Sequence, residues 1–113
     1  MPKPIENLNT ISKSLLENAV IESLRNVYDP EIPLNVYDLG LIYEVEVHDD
    51  ATVRVVMTLT SPNCPVAQTL PQEIEDAVRS TPGVADAAVE LTWDPPFSIE
   101  RMSDEAKLAL GLL

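Results

Sequence analysis

Residues 41–59 read LIYEVEVHDDATVRVVMTL, and this stretch decides the fold. Apolar residues recur at every second position over 41–47 and again over 53–59, which is the period of a strand with one buried face. The DDA at 49–51 predicts a tight turn between the two runs. The stretch therefore predicts an antiparallel hairpin. Its inward positions are Leu41, Tyr43, Val45, Val47, Val53, Val55, Met57 and Leu59.

Helical spacing flanks the hairpin on both sides. Ser14 and Glu17 stand three apart as in a capping box, and the apolar stripe that follows predicts a first helix ending near Tyr28. A second stripe, over residues 66–78, predicts another helix. Pro71 either kinks that helix or lies in the first turn of its main segment.

The remaining chain predicts one more strand and one more helix. Residues 84–93 alternate, with Ala87, Val89, Leu91 and Trp93 facing inward. Ser103 is placed to cap a final helix that runs to about residue 111. A strand, helix, strand crossover is right-handed and joins parallel strands. The order α-β-β-α-β-α thus predicts an α+β domain, a two-layer α/β fold in which helices pack on a mixed three-stranded sheet. Residues 12–113 are expected to form this single domain, and residues 1–11 a flexible tail.

Charge and composition exclude several classes of function. The 113 residues include 19 acidic and 7 basic side chains, a net charge of −12, so phosphate backbones and anionic lipid surfaces would be repelled. No apolar run approaches the ~20 residues that span a bilayer. We therefore expect neither nucleic acid nor membrane as a partner. The single cysteine and the absence of a signal-peptide pattern predict a cytoplasmic protein.

That cysteine, Cys64, lies in TSPNCP at 60–65, just before the second helical stripe. A helix N-terminus favours a thiolate, the form that binds metals and attacks electrophiles. The alternative is a small buried apolar side chain, as most lone cysteines are. The only imidazole, His48, belongs to the hairpin turn, on the order of 20 Å from Cys64 by strand length. A Cys-His couple is thereby disfavoured, and we expect no enzymatic activity.

Several polar groups should gather at the edge of the sheet where Cys64 lies. Asp38 precedes the first strand, Thr60 follows the second, and Asp94 follows the third, which is parallel to the second. Each acid taken singly is also a common turn or cap residue, so the alternative is a structural role for each.

Three blocks of the sequence resemble a known family. They are DPEIPLNVYDLGLIYEV (29–45), VVMTLTSPNCPVAQTLPQEIEDAV (55–78) and DPPFSIERMSDEAKLALGLL (94–113). In this order they resemble the iron-sulfur cluster assembly family that contains SufT-like and PaaD-like proteins, in its stand-alone form associated with SUF-type machinery. The resemblance runs from about Ser12 to the C-terminus, with Phe97 where the family often has Trp.

The resemblance implies a factor that assists maturation of iron-sulfur proteins, with Cys64 as the reactive residue. The supporting positions that it singles out are Asp29, Glu31, Asp38, Thr58, Thr60, Asp94 and Met102. A cluster takes four ligands, mostly thiolates, and one chain supplies one thiol. We therefore expect at most a transient cluster, shared with a second copy in a homodimer, a partner protein or a small thiol.

Two hypotheses remain open for the function. One is a cluster assembly or transfer factor that uses Cys64 as a ligand. The other is a metal-free adaptor whose acidic surface docks client apoproteins to the cluster-assembly proteins.

Overall fold

The computed structural model describes residues 9–30, 32–60 and 69–112. Helix α1 is followed by the hairpin β1–β2, helix α2, strand β3, a 3-10 turn and helix α3. The bounds are α1 Thr10–Leu24, β1 Ile42–Val47, β2 Thr52–Met57, α2 Leu70–Arg79, β3 Asp86–Leu91, the 3-10 turn Ile99–Arg101 and α3 Asp104–Ala109.

The sheet has the order β1-β2-β3, with β1 antiparallel and β3 parallel to the central strand β2. Along β2, Val53, Val55 and Met57 are buried, while Arg54 and Val56 between them are partly exposed. Helix α1 packs against β1 and α2, and α2 packs against β3. The predicted mixed three-stranded sheet, with helices over its apolar face, is confirmed.

Strand β1 contains an irregularity that the alternation did not predict. Ile42 is paired with Met57 and Glu44 with Val56. Strand β1 therefore has one extra residue at this point, Tyr43, and forms a β-bulge. Such a bulge redirects a side chain. Ile42 packs against the core, whereas Tyr43 is absent from the core cluster and its hydroxyl donates to the Pro95 carbonyl at 2.8 Å. The prediction that Tyr43 faces inward is wrong.

Helix α1 begins earlier than predicted. The Asn9 side chain accepts a hydrogen bond from the Ser12 backbone N–H at 2.7 Å, so Asn9 and not Ser14 is the N-cap. The helix starts at Thr10, two residues inside the segment predicted as a tail, and ends at Leu24 instead of near Tyr28. No breaker stands between Asn9 and Ser14, which lets the helix extend back to the first good cap.

The other two helices agree with the sequence in their main features. Pro71 lies in the first turn of α2, which is the second of the two alternatives considered for it. The Ser103 side chain caps α3 by accepting the Ala106 N–H at 3.1 Å, as predicted. The helix ends at Ala109, with Leu110 as its C-cap, slightly before the predicted end.

Strand β3 is shorter than the predicted 84–93. It ends at Leu91, where its partner β2 ends at Met57. Ala87 is buried, but Leu91 and Trp93 are 38% and 41% exposed. The predicted inward face therefore contacts the core at Ala87 and Val89 but not at Leu91 and Trp93. In the described ranges no helix combines the length and the apolar character needed to cross a membrane.

Candidate functional site

Three irregular segments meet at one end of the sheet, which we call the loop end. The Thr58 N–H donates to the Leu41 carbonyl at 2.8 Å, and the Thr92 N–H donates to the Met57 carbonyl at 2.8 Å. These bonds bring the chain before β1, the chain after β2 and the chain after β3 to the same edge. The hairpin turn at 48–52 forms the opposite end, which we call the turn end.

The segment before β1 is held by a reciprocal side-chain contact. The Asn35 side-chain amide donates to Asp38 Oδ2 at 2.8 Å, and its carbonyl oxygen accepts the Asp38 backbone N–H at 2.8 Å. The Asp38 carbonyl in turn accepts the Ser103 N–H at 2.9 Å. Asp38 therefore links the turn before β1 to the start of α3, and its side chain is only 16% exposed.

Gly40 completes that turn in a conformation that other residues rarely adopt. Its φ is +88°, in the left-handed region. A Cβ added there would lie 2.7 Å from both the carbonyl carbon and the oxygen of Arg101. The glycine thus permits both the turn and the close approach of the 3-10 segment, and this approach sets the position of Arg101.

A cleft of about 330 Å³ opens beside this contact. Its lining residues are Arg25, Tyr37, Asp38, Gly40, Ile42, Arg101 and Ser103. The Arg25 guanidinium lies 5.2 Å from the centre of the Tyr37 ring. The Arg101 guanidinium lies 4.0 Å from the centre of the Tyr43 ring. Each stack is an attractive contact that orders a long cationic side chain.

The two arginines differ in their partners. Arg25 is 3.2 Å from a Glu22 carboxylate oxygen and 3.9 Å from Asp38 Oδ1. Arg101 forms no ion pair with any carboxylate in the described ranges. Since Arg25 already faces two carboxylates, the positive charge still available in the cleft is that of Arg101.

Four of the predicted site residues are buried or tied into local structure. Asp29 is buried, and its Oδ1 accepts the Ile32 N–H at 3.1 Å. Thr58 is fully buried, with its hydroxyl 3.4 Å from the Leu59 carbonyl. Met102 belongs to the hydrophobic core. Asp94 is exposed, and its backbone N–H donates to the Thr92 hydroxyl at 3.3 Å.

The described site residues lie in segments that meet at the loop end but do not form one cluster. Thr60 is exposed at the end of the described segment after β2. Cys64 and Glu31 lie outside the described residues, so the predicted grouping of Cys64 with Asp38 and Thr60 stays a prediction. On the far side of the gap, Thr69 is the N-cap of α2 and makes no side-chain capping bond.

The turn end combines short-range contacts with an ion pair to α1, in which Lys13 Nζ lies 2.7 Å from Asp49 Oδ1. Asp50 Oδ1 accepts the Thr52 hydroxyl at 2.7 Å and the Thr52 N–H at 3.0 Å. These two bonds, the side-chain one foremost, lower the pKa of Asp50 below its ordinary value. His48 is exposed and lies 3.1 Å from a Glu46 carboxylate oxygen. The predicted place of His48 in the hairpin turn agrees with this arrangement.

The described residues do not form a metal site by themselves. Within ranges 9–30, 32–60 and 69–112, no three His, Cys, Asp or Glu side chains are grouped so that they could hold an ion. The Asp29 carboxylate accepts the Ile32 N–H, and the Asp38 carboxylate accepts the Asn35 amide. A complete ligand shell for a cluster is therefore not present in this part of the chain.

Sequence reasoning missed the arginine cleft. Arg25 lies at the C-cap of α1 and Arg101 in the 3-10 turn, and only the folded chain places them around one depression. A signal that could have found it is the scarcity of basic residues, since the sequence contains seven basic and nineteen acidic side chains. In such a chain an arginine without an acidic partner is unusual.

Residues 17–91 match the model of the family described as "Iron-sulfur cluster assembly protein". The chain is 50% identical over 97 residues to a Porphyromonas gingivalis protein named "Fe-S protein maturation auxiliary factor", covering 86% of this chain and 92% of the relative. It is 37% identical to "Fe-S protein maturation auxiliary factor SufT" of Staphylococcus aureus, covering 76% of this chain and 98% of that one.

A larger relative and a solved structure extend the comparison. An "Iron-sulfur cluster carrier protein" of Synechocystis is 34% identical over 82 residues, which are 73% of this chain and 23% of the relative. A crystal structure of a "Domain of Unknown Function DUF59" from Bacillus anthracis superposes with a TM-score of 0.85 at 35% identity. The superposition covers 93% of this chain and all of that one.

Proposed function

This chain belongs to the iron-sulfur cluster assembly protein family, and we propose that it assists the maturation of iron-sulfur proteins as a cluster assembly or transfer factor. The observation that carries the proposal is its 50% identity, over nearly the full length of both chains, to a maturation auxiliary factor. The resemblance identified from the three sequence blocks is confirmed by this membership, and the SufT relative agrees with it.

In this proposal the cluster is cargo and not a resident cofactor. The chain contains a single cysteine, whereas a cluster takes four ligands that are mostly thiolates. The described carboxylates form no group able to replace the missing thiolates. Cys64 would therefore supply one ligand, and a second copy, a partner protein or a small thiol would supply the others. The relative named as a cluster carrier supports a transfer role.

A metal-free adaptor is the second candidate, and the charge of the chain favours it. The net charge of −12 gives a surface suited to complementary basic partners. An adaptor would dock client apoproteins to the cluster-assembly proteins without binding the cluster itself. The two candidates differ in what they require of Cys64, since only the carrier needs its thiolate.

The proposed role is non-enzymatic. His48 is the only imidazole in the sequence and lies at the turn end beside Glu46, whereas Cys64 follows the strand that leads to the loop end. A nucleophilic cysteine requires a base within hydrogen-bond reach. The chain offers no imidazole at that end of the sheet.

The proposed partners are client iron-sulfur apoproteins and cluster-assembly proteins, with a homodimer as one way to complete a shared ligand shell. We further propose a cytoplasmic location. A lone thiol that must stay reduced to bind a cluster suits a reducing compartment.

Replacement of Cys64 by Ser separates the two candidates. The variant would be compared with the wild type for its ability to restore activity to a client iron-sulfur apoenzyme in a purified assembly system. The carrier predicts loss of that ability. The matched control is Thr69→Ser, at the N-cap of α2, where the side chain makes no capping bond. It should act as the wild type. If Cys64→Ser restored the client activity fully, the carrier hypothesis would be rejected and the adaptor hypothesis would remain.

A further inference from the structure

The cleft at the loop end has the composition of an anion site, and Arg101 is its available cation. We propose that this cleft binds a small organic carboxylate, with the Arg101 guanidinium as the main contact. The inference does not depend on the cluster-related role of Cys64, and Arg101 and Ser103 lie beyond the residues that match the family.

The charge of the chain favours Arg101 as a contact for an anion. The seven basic residues of the sequence face nineteen acidic ones, and the described ones are largely paired. Arg54 is ion-paired with Glu44, Glu46 and Glu90, and Arg79 is 2.9 Å from Asp86. Arg101 and Lys107 form no ion pair within the described ranges, and of these two only Arg101 lines the cleft. A cation left unpaired in so acidic a chain is available for an external anion.

The acidic member of the cleft does not cancel this charge. Asp38 Oδ2 already accepts the Asn35 amide, and Asp38 Oδ1 faces Arg25 at 3.9 Å. Among the lining residues Arg25 and Asp38 therefore offset each other, and Arg101 gives the lining one net positive charge; Glu22, which is 3.2 Å from Arg25, lies outside the lining. A single carboxylate group matches that balance.

The Arg101 side chain is also preorganised for binding. The Tyr43 ring covers one face of the Arg101 guanidinium at 4.0 Å, and the Tyr43 hydroxyl is itself fixed on the Pro95 carbonyl. The Arg101 backbone is held against Gly40, where a Cβ would not fit. A stacked guanidinium keeps its N–H edge free for two parallel bonds to a carboxylate. Little side-chain entropy then remains to be lost on binding.

Ser103 supplies a second donor on the lining. Its oxygen accepts the Ala106 N–H as the cap of α3, and its hydroxyl donates no hydrogen bond within the described residues. A cleft of about 330 Å³ accommodates a small molecule. The net charge of −12 disfavours an acidic protein surface far more than a small carboxylate, so the free molecule is the occupant that the structure supports.

The test is a titration of the full chain with propionate at constant ionic strength, followed by amide nitrogen and proton NMR shifts. Saturable shifts are expected at Gly40, Ile42 and Ser103. Arg101→Gln should weaken binding roughly tenfold, since a charge-assisted bidentate contact is lost. Lys107→Gln removes the same charge from α3 outside the cleft lining and should bind as the wild type does.

Each other outcome contradicts the proposal. Shifts that never saturate, or equal affinity in Arg101→Gln and the wild type, would overturn it. Equal weakening by Lys107→Gln would show a general charge effect. Inorganic phosphate saturating the same amides more tightly than propionate would overturn the assignment to carboxylates. If Arg101→Gln does not fold, Arg101→Lys replaces it, because it keeps the charge but lacks the planar fork and is also expected to bind more weakly.

Discussion

The two ends of the sheet both carry acidic side chains but hold them by different means. At the turn end, Asp50 bonds to Thr52, two residues away. At the loop end, Asp38 is joined to Ser103, and Gly40 is pressed against Arg101. Asp50 is thus held by a neighbour in sequence, whereas Asp38 and Gly40 contact segments that meet only after folding. The turn end has contacts between distant segments too, namely the exposed Lys13–Asp49 ion pair and the bond from the Ala85 N–H to the Ala51 carbonyl at 2.9 Å. A substitution at Asp38 or Gly40 should therefore disturb more of the molecule than one at Asp50.

The largest effect is expected from Gly40→Ala. The new Cβ would combine a strained φ of +88° with contacts of 2.7 Å to the Arg101 backbone. We expect the free energy of unfolding to fall by roughly 3 kcal/mol, from backbone strain and the displacement of a packed segment. Denaturant unfolding measures this loss.

Gly111→Ala is the matched control for that substitution. Gly111 also has a positive φ, of +75°, but a Cβ there would meet nothing within 4 Å. Only the conformational strain applies, roughly 1 kcal/mol. Equal losses in the two variants would show that the contact between Gly40 and Arg101 is not a constraint on the loop end.

A smaller effect is expected from Asp38→Asn, compared with Asp50→Asn at the turn end. At position 38 the amide oxygen can still accept the Asn35 bond, but the NH2 group then replaces the oxygen that faces Arg25 at 3.9 Å, so we expect a loss of about 1 kcal/mol. At position 50 the amide oxygen can still accept both bonds from Thr52, and the loss should be smaller. Urea unfolding measures both losses. A larger fall in the free energy of unfolding for Asp50→Asn than for Asp38→Asn would contradict the contrast between the two ends.

The difference between the two ends also explains what the sequence could predict. The hairpin follows from alternation, and the Ser103 cap of α3 from a local pattern, so both were found. The α1 start was misplaced because Ser14 and Glu17 have the spacing of a capping box, while Asn9 makes the actual cap bond. Local pattern cannot rank two possible caps when no breaker separates them.

The loop end was only half predictable for a physical reason. Strand direction brings Asp38 and Asp94 to one edge, and this was deduced from topology. The bulge at Tyr43 was not deduced, and it is the Tyr43 ring that supports Arg101. The cleft depends on that bulge and on the Gly40 contact, neither of which leaves a periodic signal. The place of Cys64 in the site stays a prediction.

The smallest effect is expected on the pH dependence of stability, through Asp86. The pKa of Asp86, at the turn end, is lowered from its ordinary 3.8 by the Ala87 N–H first and by Arg79 second. A lowered pKa gives stability that is present above pH 3.8 and is lost as the pH falls through the folded-state value. Asp86→Asn should therefore melt slightly below the wild type at pH 7, and the gap should close in more acidic solution. A gap that widens on acidification would contradict this assignment.

Anaerobic reconstitution with iron and sulfide tests the central claim most directly, because it measures whether Cys64 holds cluster. Absorbance would report the cluster, and native mass spectrometry would report the number of chains and small thiols per cluster. The account predicts a cluster bound by the wild type with ligands from outside the single chain, and none bound by Cys64→Ser. A wild type that binds no cluster, or a Cys64→Ser variant that binds it equally well, would contradict the account.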